Sequence, residues 1–303
     1  MGFYFSRFET RRPPEPLSTP GWVKKAWQIL AVAALILGAN YIRWRWMESL
    51  NMDALWYAIP LVVAETLAWI GTALFTINLW QEKDVPQQSP PADINQCLHP
   101  DDAVDPRPLK VDLFIATYSE DVELVRLSIR DALKIAYPWP LDYRIHVLDD
   151  GRRPEMKAVC DEEGVNYITR QNNIGYKAGN LRNGLEQTDG DFLVICDADT
   201  RVFPTLLSHT LGYFRDPDVA WVQTPQWFYD LPEGERLPRW LKRKTGKAGY
   251  ALGWTIEKAC GPVTIGRDPF FNDPRMFYDV ILRRRNWANA AFCCGAASIH
   301  RRE

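Results

Sequence analysis

The sequence predicts an α/β protein, a mostly parallel sheet flanked by helices, preceded by a two-helix transmembrane hairpin. Three observations carry that expectation. The first eighty residues hold two long apolar runs, short apolar runs alternate with helical stretches from residue 111 to residue 223, and two of those short runs end in paired acids.

Ala26–Ile42 reads AWQILAVAALILGANYI, interrupted only by Gln28 and Asn40. A membrane-spanning helix needs roughly 20 predominantly apolar residues to cross about 30 Å of hydrocarbon. Trp22 and Val23 before this run, with Trp44 and Trp46 after it, extend it with interfacial anchors. Ala54–Trp80 is longer, broken mainly by Glu65, Thr66 and Asn78. The first run has no clear small-residue cleavage site and a second span follows at hairpin distance, which excludes a signal peptide. A buried helical hairpin of a soluble domain is the competing reading, and the aromatic flanks speak against it.

Arg7, Arg11, Arg12, Lys24 and Lys25 precede the first span, while only Arg43 and Arg45 occupy the connecting loop. Positive-inside bias then places the N-terminus in the cytoplasm, and two crossings return everything after Trp80 there. The expected organisation is a cytoplasmic tail over 1–21, a hairpin over 22–80 with helices at about 24–44 and 54–80, and a linker over 81–110. A cytoplasmic globular domain follows over 111–303. Glu65 falls inside the second span, where a carboxylate needs a charged partner or a polar path to face.

Residues 81–110 are rich in Pro, Asp and Gln and have no apolar period, hence the linker. Val111–Ala116 predicts a buried strand, and the spacing of Val122, Val125, Ile129, Ala132, Leu133 and Ala136 predicts an amphipathic helix. Further strands are expected at Tyr143–Leu148, Val165–Thr169, Phe192–Cys196 and Val219–Gln223. Helices are expected from Pro154 to Gly164, from about Tyr176 to Gln187, and from Pro204 to Phe214. Residues 231–268 are basic and aromatic, which fits either an amphipathic helix at a membrane surface or a solvated helix with a docked Trp.

Composition excludes several classes. Lys plus Arg number 36 and Asp plus Glu 38 in 303 residues, a net charge of −2 without the basic excess of a nucleic-acid binder. Six cysteines form no C-x-x-C pair, so a zinc ribbon or disulfide scaffold is not expected. No Walker A loop, G-x-G-x-x-G, H-E-x-x-H or G-x-S-x-G occurs, which disfavours P-loop, dinucleotide, zincin and esterase chemistry.

Ligands of open α/β sheets bind outside the carboxyl ends of the strands. Two predicted strands end there in acids, Asp149-Asp150-Gly151 and Asp197-Ala198-Asp199. Converging carboxylates repel one another unless compensated, and a divalent cation is the economical compensation. Hard Mg²⁺ or Mn²⁺ takes one or two carboxylates and completes its shell with water and phosphate oxygens. Asp197 and Asp199, two apart in extended chain, leave the same face and suit that task. Lys177 opens a helix whose free amides can hold an anion.

Read in order, Thr117-Tyr118-Ser119-Glu120, Leu148-Asp149-Asp150-Gly151, Lys177-Ala178-Gly179-Asn180 and Asp197-Ala198-Asp199 resemble the motifs of processive family 2 glycosyltransferases, as in bacterial cellulose synthase catalytic subunits. Val222-Gln223-Thr224-Pro225 and Phe292-Cys293-Cys294-Gly295 follow in the expected places, and Tyr41-Ile42-Arg43-Trp44-Arg45 with Ser49-Leu50-Asn51 echo the first hairpin of that family. The resemblance implies an A-type glycosyltransferase fold that transfers glucose from UDP-glucose to a growing β-1,4-glucan, metal-dependent and inverting, beside a lipid bilayer and a periplasmic partner subunit. By position it implies that Thr117, Tyr118, Glu120, Asp149 and Asp150 cradle the nucleotide and that Lys177 lies near the diphosphate. Asp197 and Asp199 would hold UDP through the metal, and Phe292, Cys294 and Gly295 match the segment that touches the glucan acceptor.

The chain departs from that pattern at three places. Ser119 stands where the family has Asn, and Gly175 where it has His. Its Phe-Phe-Cys-Gly-Ser segment reads here Phe292-Cys293-Cys294-Gly295-Ala296. The family's Thr-Glu-Asp base motif and Gln-x-x-Arg-Trp acceptor motif do not occur before Glu303, so the sequence is expected to be the front part of such an enzyme, with its general base beyond this chain. Two competing readings are a synthase of another β-glycan or a sugar–lipid transferase, and a non-catalytic UDP-binding fragment or assembly subunit.

Overall fold

The computed structural model describes residues 13, 15–17, 20–228, 234–261, 263–265 and 274–302. Arg7, Arg11 and Arg12, which helped to orient the hairpin, and parts of the 231–268 stretch lie outside the described residues. Two long helices come first, α1 (Gly21–Met47) and α2 (Leu55–Asn78). The alternating region is β1 (Leu109–Thr117), α3 (Val122–Ala132), β2 (Leu141–Asp149), α4 (Pro154–Glu163), β3 (Asn166–Ile168), α5 (Tyr176–Glu186), β4 (Phe192–Asp197), α6 (Leu206–Thr210) and β5 (Trp221–Gln223). After it come β6 (Glu235–Arg236), α7 (Leu237–Cys260), β7 (Thr264–Ile265) and β8 (Ser298–Arg301). The chain forms two compact units, Met1–Asp84 with Pro225–Ala291 and Val85–Thr224 with Phe292–Glu303.

The second unit is built on a six-stranded sheet in the order β3-β2-β1-β4-β8-β5. Strands β3, β2, β1 and β4 run parallel, and β8 is antiparallel to both β4 and β5. Successive side chains of a strand point to opposite faces, so strands covered on both sides are apolar throughout. On one face Leu113, Ile115, Val147 and Val194 pack with Val125 and Ile129 of α3 and with Leu207 and Leu211. On the other face Phe114, Leu148 and Leu193 meet Leu181 and Leu185 of α5. Pro154 sits at the first turn of α4, and Gly164, in the left-handed region at φ 71°, ends it.

Register fixes the site. Thr117 of β1 stands opposite Asp149 of β2, and Ala116 opposite Asp197 of β4. The carboxyl ends of these three strands therefore share one edge.

Three features differ from the sequence reading. The stretch expected as linker is not one beyond residue 84, because Ile94 and Cys97 are buried in the core of the sheet unit. This segment is stitched down at polar points, with Tyr137 Oη donating to Pro91 O at 2.7 Å and Arg301 Nη1 to Cys97 O at 2.8 Å. Such long-range anchoring of two apolar residues leaves no periodic trace. The helix expected over Pro204–Phe214 breaks after five residues into a 3₁₀ turn, Leu211–Arg215. There the backbone of Gln88 lies against Gly212, where a Cβ would stand 2.1 Å from the Gln88 carbonyl oxygen. Arg215 Nε then donates to Ser89 O at 2.8 Å. Strand β8 is also an addition, too short to announce itself and paired with partners distant in sequence.

In the first unit, α1 and α2 are long and apolar enough to cross a membrane by length and composition. None of α1 is buried, and in α2 only Val62 is. Glu65 has a partner: Arg45 Nε donates to it at 2.6 Å, and the same guanidinium reaches Ser49 Oγ at 2.7 Å. Trp46 Nε1 adds a bond to Thr66 Oγ1 at 3.0 Å, and the Trp69 indole packs directly on Gly38. Helix α7 turns at Gly246, whose φ of 72° interrupts the helical ladder. Its Trp254 is exposed rather than docked, and β6 and β7 flank the helix as a two-stranded ribbon.

Because Gly212 admits the Gln88 backbone at contact distance, Gly212→Ala is expected to cost about 1–3 kcal/mol by overpacking. Hydrogen exchange of the amides at 88–97 should accelerate while that of β1 stays protected. Unchanged exchange at 88–97 would contradict the contact.

Candidate functional site

The shared edge of β1, β2 and β4 opens into a cleft of about 630 Å³. Of the residues singled out by sequence, Thr117, Tyr118, Glu120, Asp150, Lys177, Asp197 and Asp199 line it. Leu124, Asn173, Tyr176 and Asn180 complete its walls. Most of these polar groups arrive from the end of a strand or the start of a helix, where backbone groups are free.

Asp149 is the exception. Its carboxylate is 0% exposed and stands behind the cleft wall. It accepts from Gly151 N at 3.0 Å, Arg153 N at 2.8 Å and Tyr167 Oη at 3.0 Å, and pairs with the Arg153 guanidinium at 3.2 Å. Its neighbour Asp150 faces the cleft and is held by both arms of Arg170, at 2.6 and 2.7 Å. One cation for all four carboxylates is therefore not the arrangement found. Arg153 and Arg170 neutralise the β2 pair, as a buried carboxylate requires, and only the β4 pair is left for a metal. Gly151 is needed here for contact, since a Cβ would lie 2.2 Å from Tyr118 O.

The first loop is pinned by Glu120, which accepts from Thr117 Oγ1 at 2.7 Å, Tyr118 N at 2.7 Å and Ser119 N at 3.1 Å. Arg153 joins the two motifs by donating to Thr117 Oγ1 at 2.8 Å and Glu120 O at 2.6 Å. Burial works against the charge on Glu120, but the hydrogen bonds from Tyr118 N and Thr117 Oγ1 outweigh it and hold the carboxyl below its ordinary range.

Across the cleft, Lys177 is ion-paired to Asp197, both about half exposed, and Asp199 is exposed. Asp197 N donates to Thr200 Oγ1 at 3.1 Å, which closes the loop carrying Asp199. Among the described residues no third His, Cys, Asp or Glu joins this pair into a metal-ligating group. Two hard carboxylates with room for water and phosphate oxygens are the donor set that suits Mg²⁺ or Mn²⁺ and does not suit zinc.

The segment Phe292–Gly295 is placed by Gln223, whose Oε1 accepts from Cys294 N at 2.8 Å and whose Nε2 donates to Ala296 O at 3.1 Å. Gly295, at φ 92°, comes near the lysine: a Cβ there would be 3.9 Å from Lys177 Nζ. Phe292 and Cys294 flank it without lining the cleft, and burial pushes the Cys294 thiol upward.

Sequence reasoning missed Arg153, Arg170, Asn180 and Tyr176. Arg153 was discoverable, being four residues after Asp149 where a helix start would bring them together. Arg170 had no local signal. Asn180 is buried and donates from Nδ2 to Leu148 O at 2.8 Å, while its Oδ1 has no partner among the described residues.

Glu120 supplies a pH test. Its folded-state pKa is lowered, so its contribution is present above the unfolded value of about 4.3 and is lost as pH falls through the folded one. The Tm difference between the native protein and Glu120→Gln, read in detergent micelles, should be full near neutrality and shrink below about pH 4. A difference independent of pH would remove this assignment.

Residues 112–303 match glycosyl transferase family 2. The chain is 31% identical over 288 residues to the Cellulose synthase catalytic subunit [UDP-forming] of Pseudomonas fluorescens, covering 90% of this chain and 32% of that protein. It is 32% identical over 278 residues to Cellulose synthase 1 of Komagataeibacter xylinus, covering 90% of this chain and 15% of that protein. The chain thus spans a third or less of the length of these relatives. A solved structure, the mannosyltransferase PcManGT from Pyrobaculum calidifontis in complex with GDP-Man and Mn²⁺, is similar at 20% identity and a TM-score of 0.39 over 55% of this chain and 48% of that one. The parallel sheet with acids at its carboxyl edge and the matched span of residues give one conclusion: the chain belongs to glycosyl transferase family 2 and has that family's A-type fold.

Proposed function

We propose that this chain carries the donor-binding part of a membrane-bound hexosyltransferase that moves glucose from UDP-glucose to a growing β-1,4-glucan with inversion. One observation carries the reading: a single cleft joins the nucleotide-cradling positions Thr117, Tyr118, Glu120 and Asp150 to Lys177 and the Asp197–Asp199 pair. The similarity to cellulose synthase catalytic subunits supports the choice of donor and product.

In this reading the uridine lies toward Thr117 and Asp150 and the diphosphate toward Lys177. Asp197 and Asp199 would hold a divalent cation, which would supply charge neutralisation at the diphosphate. The protein's own groups do the rest. Lys177 turns from Asp197 to phosphate oxygens, the first-turn amides of α5 face the anion, and Gln223 holds Cys294 and Gly295 where the acceptor end arrives. The acceptor hydroxyl attacks the anomeric carbon, the bond to the diphosphate oxygen breaks, and UDP leaves. The base that takes the hydroxyl proton is not assigned to any residue here.

The two apolar helices lie in the bilayer in this reading, with the sheet unit on the cytoplasmic side and the growing glucan leaving toward a periplasmic partner. The Arg45–Glu65 pair supports it, because an ion pair closed within the hairpin removes the cost of two isolated charges in hydrocarbon.

Two measurements test the proposal. Asp199→Asn should abolish Mn²⁺-dependent UDP binding in calorimetry, as should EDTA on the native protein; unchanged affinity would remove the metal assignment. Membranes holding the full natural protein should convert labelled UDP-glucose into polymer that a β-1,4-specific glucanase digests. Labelled lipid instead of polymer would favour a sugar–lipid transferase, and UDP binding without transfer a non-catalytic subunit.

A further inference from the structure

Tyr176 is held in a conformation its own chemistry disfavours. Its φ is 47°, in the left-handed region that a bulky L side chain rarely adopts, and it follows Gly175 at φ 75°. The ring is 84% exposed, so no packing in the core repays the backbone. Strained residues persist only where their surroundings over-determine them, and they concentrate at ligand clamps.

The surroundings here do over-determine it. Tyr176 N donates to Asn173 O at 3.1 Å, and Arg170 Nη2 donates to Tyr176 O at 2.8 Å. Arg170 Nη1 also takes Ile174 O at 2.6 Å. Gly179 permits this crossing, since a Cβ there would stand 2.0 Å from Ile174 O. The same guanidinium grips Asp150, so a floor residue of the cleft and the backbone of Tyr176 share one rigid support.

That support also says which end of the cleft the ring serves. Asp150 N donates to Thr117 O at 3.0 Å, which ties Asp150, and through Arg170 the Tyr176 turn, to the β1 end of the cleft. The next residue, Lys177, points away to Asp197. Tyr118, a second exposed aromatic, lines the same cleft from the end of β1. Two exposed rings on one polar cleft suit a flat, partly apolar ligand group, and a nucleobase offers a π-face on both sides.

We propose that Tyr176 is a nucleobase-stacking residue, the second aromatic wall beside Tyr118, whose strained turn is held by Arg170 to present the ring. This rests on the UDP-binding reading given above. Arg170 is in turn a positioning residue, acting through the Tyr176 backbone.

Calorimetry with UMP and with UDP tests it. Tyr176→Ala should weaken both ligands by about 10- to 100-fold, as loss of a base–aromatic stack does, and Tyr176→Phe should stay within about threefold of the native protein. Tyr176→Gly relieves the strained φ and so folds at least as well; it should show the same loss as Tyr176→Ala. Native affinity in the Ala and Gly variants overturns the proposal, as does a loss seen with UDP-glucose but not with UMP, which would put the ring on the sugar. Failure of the native protein to bind UMP or UDP overturns the donor reading itself, and this inference with it.

Discussion

Carboxylates crowded at one sheet edge, and the basic side chains that pair with them there, are the constraint around which the globular unit is organised. Asp149, Asp150, Asp197 and Asp199 reach that edge because β1 stands between β2 and β4 in parallel register. Left alone they would repel one another and resist burial. Arg153, Arg170 and Lys177 each meet one of them. Every other feature of the cleft is arranged around those three pairs.

The pairs differ in accessibility, and that difference divides structure from chemistry. Asp149 is buried and its partner Arg153, half-buried, also ties together the Thr117–Glu120 loop, so the pair builds the wall of the cleft. Breaking such a buried pair from one side leaves an uncompensated charge, which costs about 3–5 kcal/mol. Lys177 and Asp197 are half exposed and make few other bonds, so a ligand can take either partner from the other. In the proposed donor-binding reading a phosphate competes for the lysine and a cation for the aspartate. The ion pair therefore keeps both groups oriented until a ligand separates them.

Arg170 stands between these extremes. It neutralises Asp150 and holds the carbonyls of Ile174 and Tyr176, which shapes the entry to α5. The positive φ values at Gly175 and Tyr176 and the close contact at Gly179 follow from that one guanidinium sitting inside the turn. A turn shaped this way aims Lys177 at the β4 acids and leaves the Tyr176 ring on the cleft wall.

The local sequence determined the parallel sheet, its helices and the edge where the acids meet. Periodicity of two and of 3.6 residues is a short-range property, and Val111–Ala116, Phe192–Cys196 and the α3 spacing expressed it plainly. The two apolar helices were equally legible, because length and composition suffice for them. Only the tertiary structure decided which charges compensate which. Arg170 meets Asp150 across twenty residues, Ile94 and Cys97 enter a core from a stretch without period, and β8 slots between β4 and β5 from the far end of the chain. Those pairings depend on where the backbone returns in space. A side chain carries its charge in the sequence, but its partner is set by the fold.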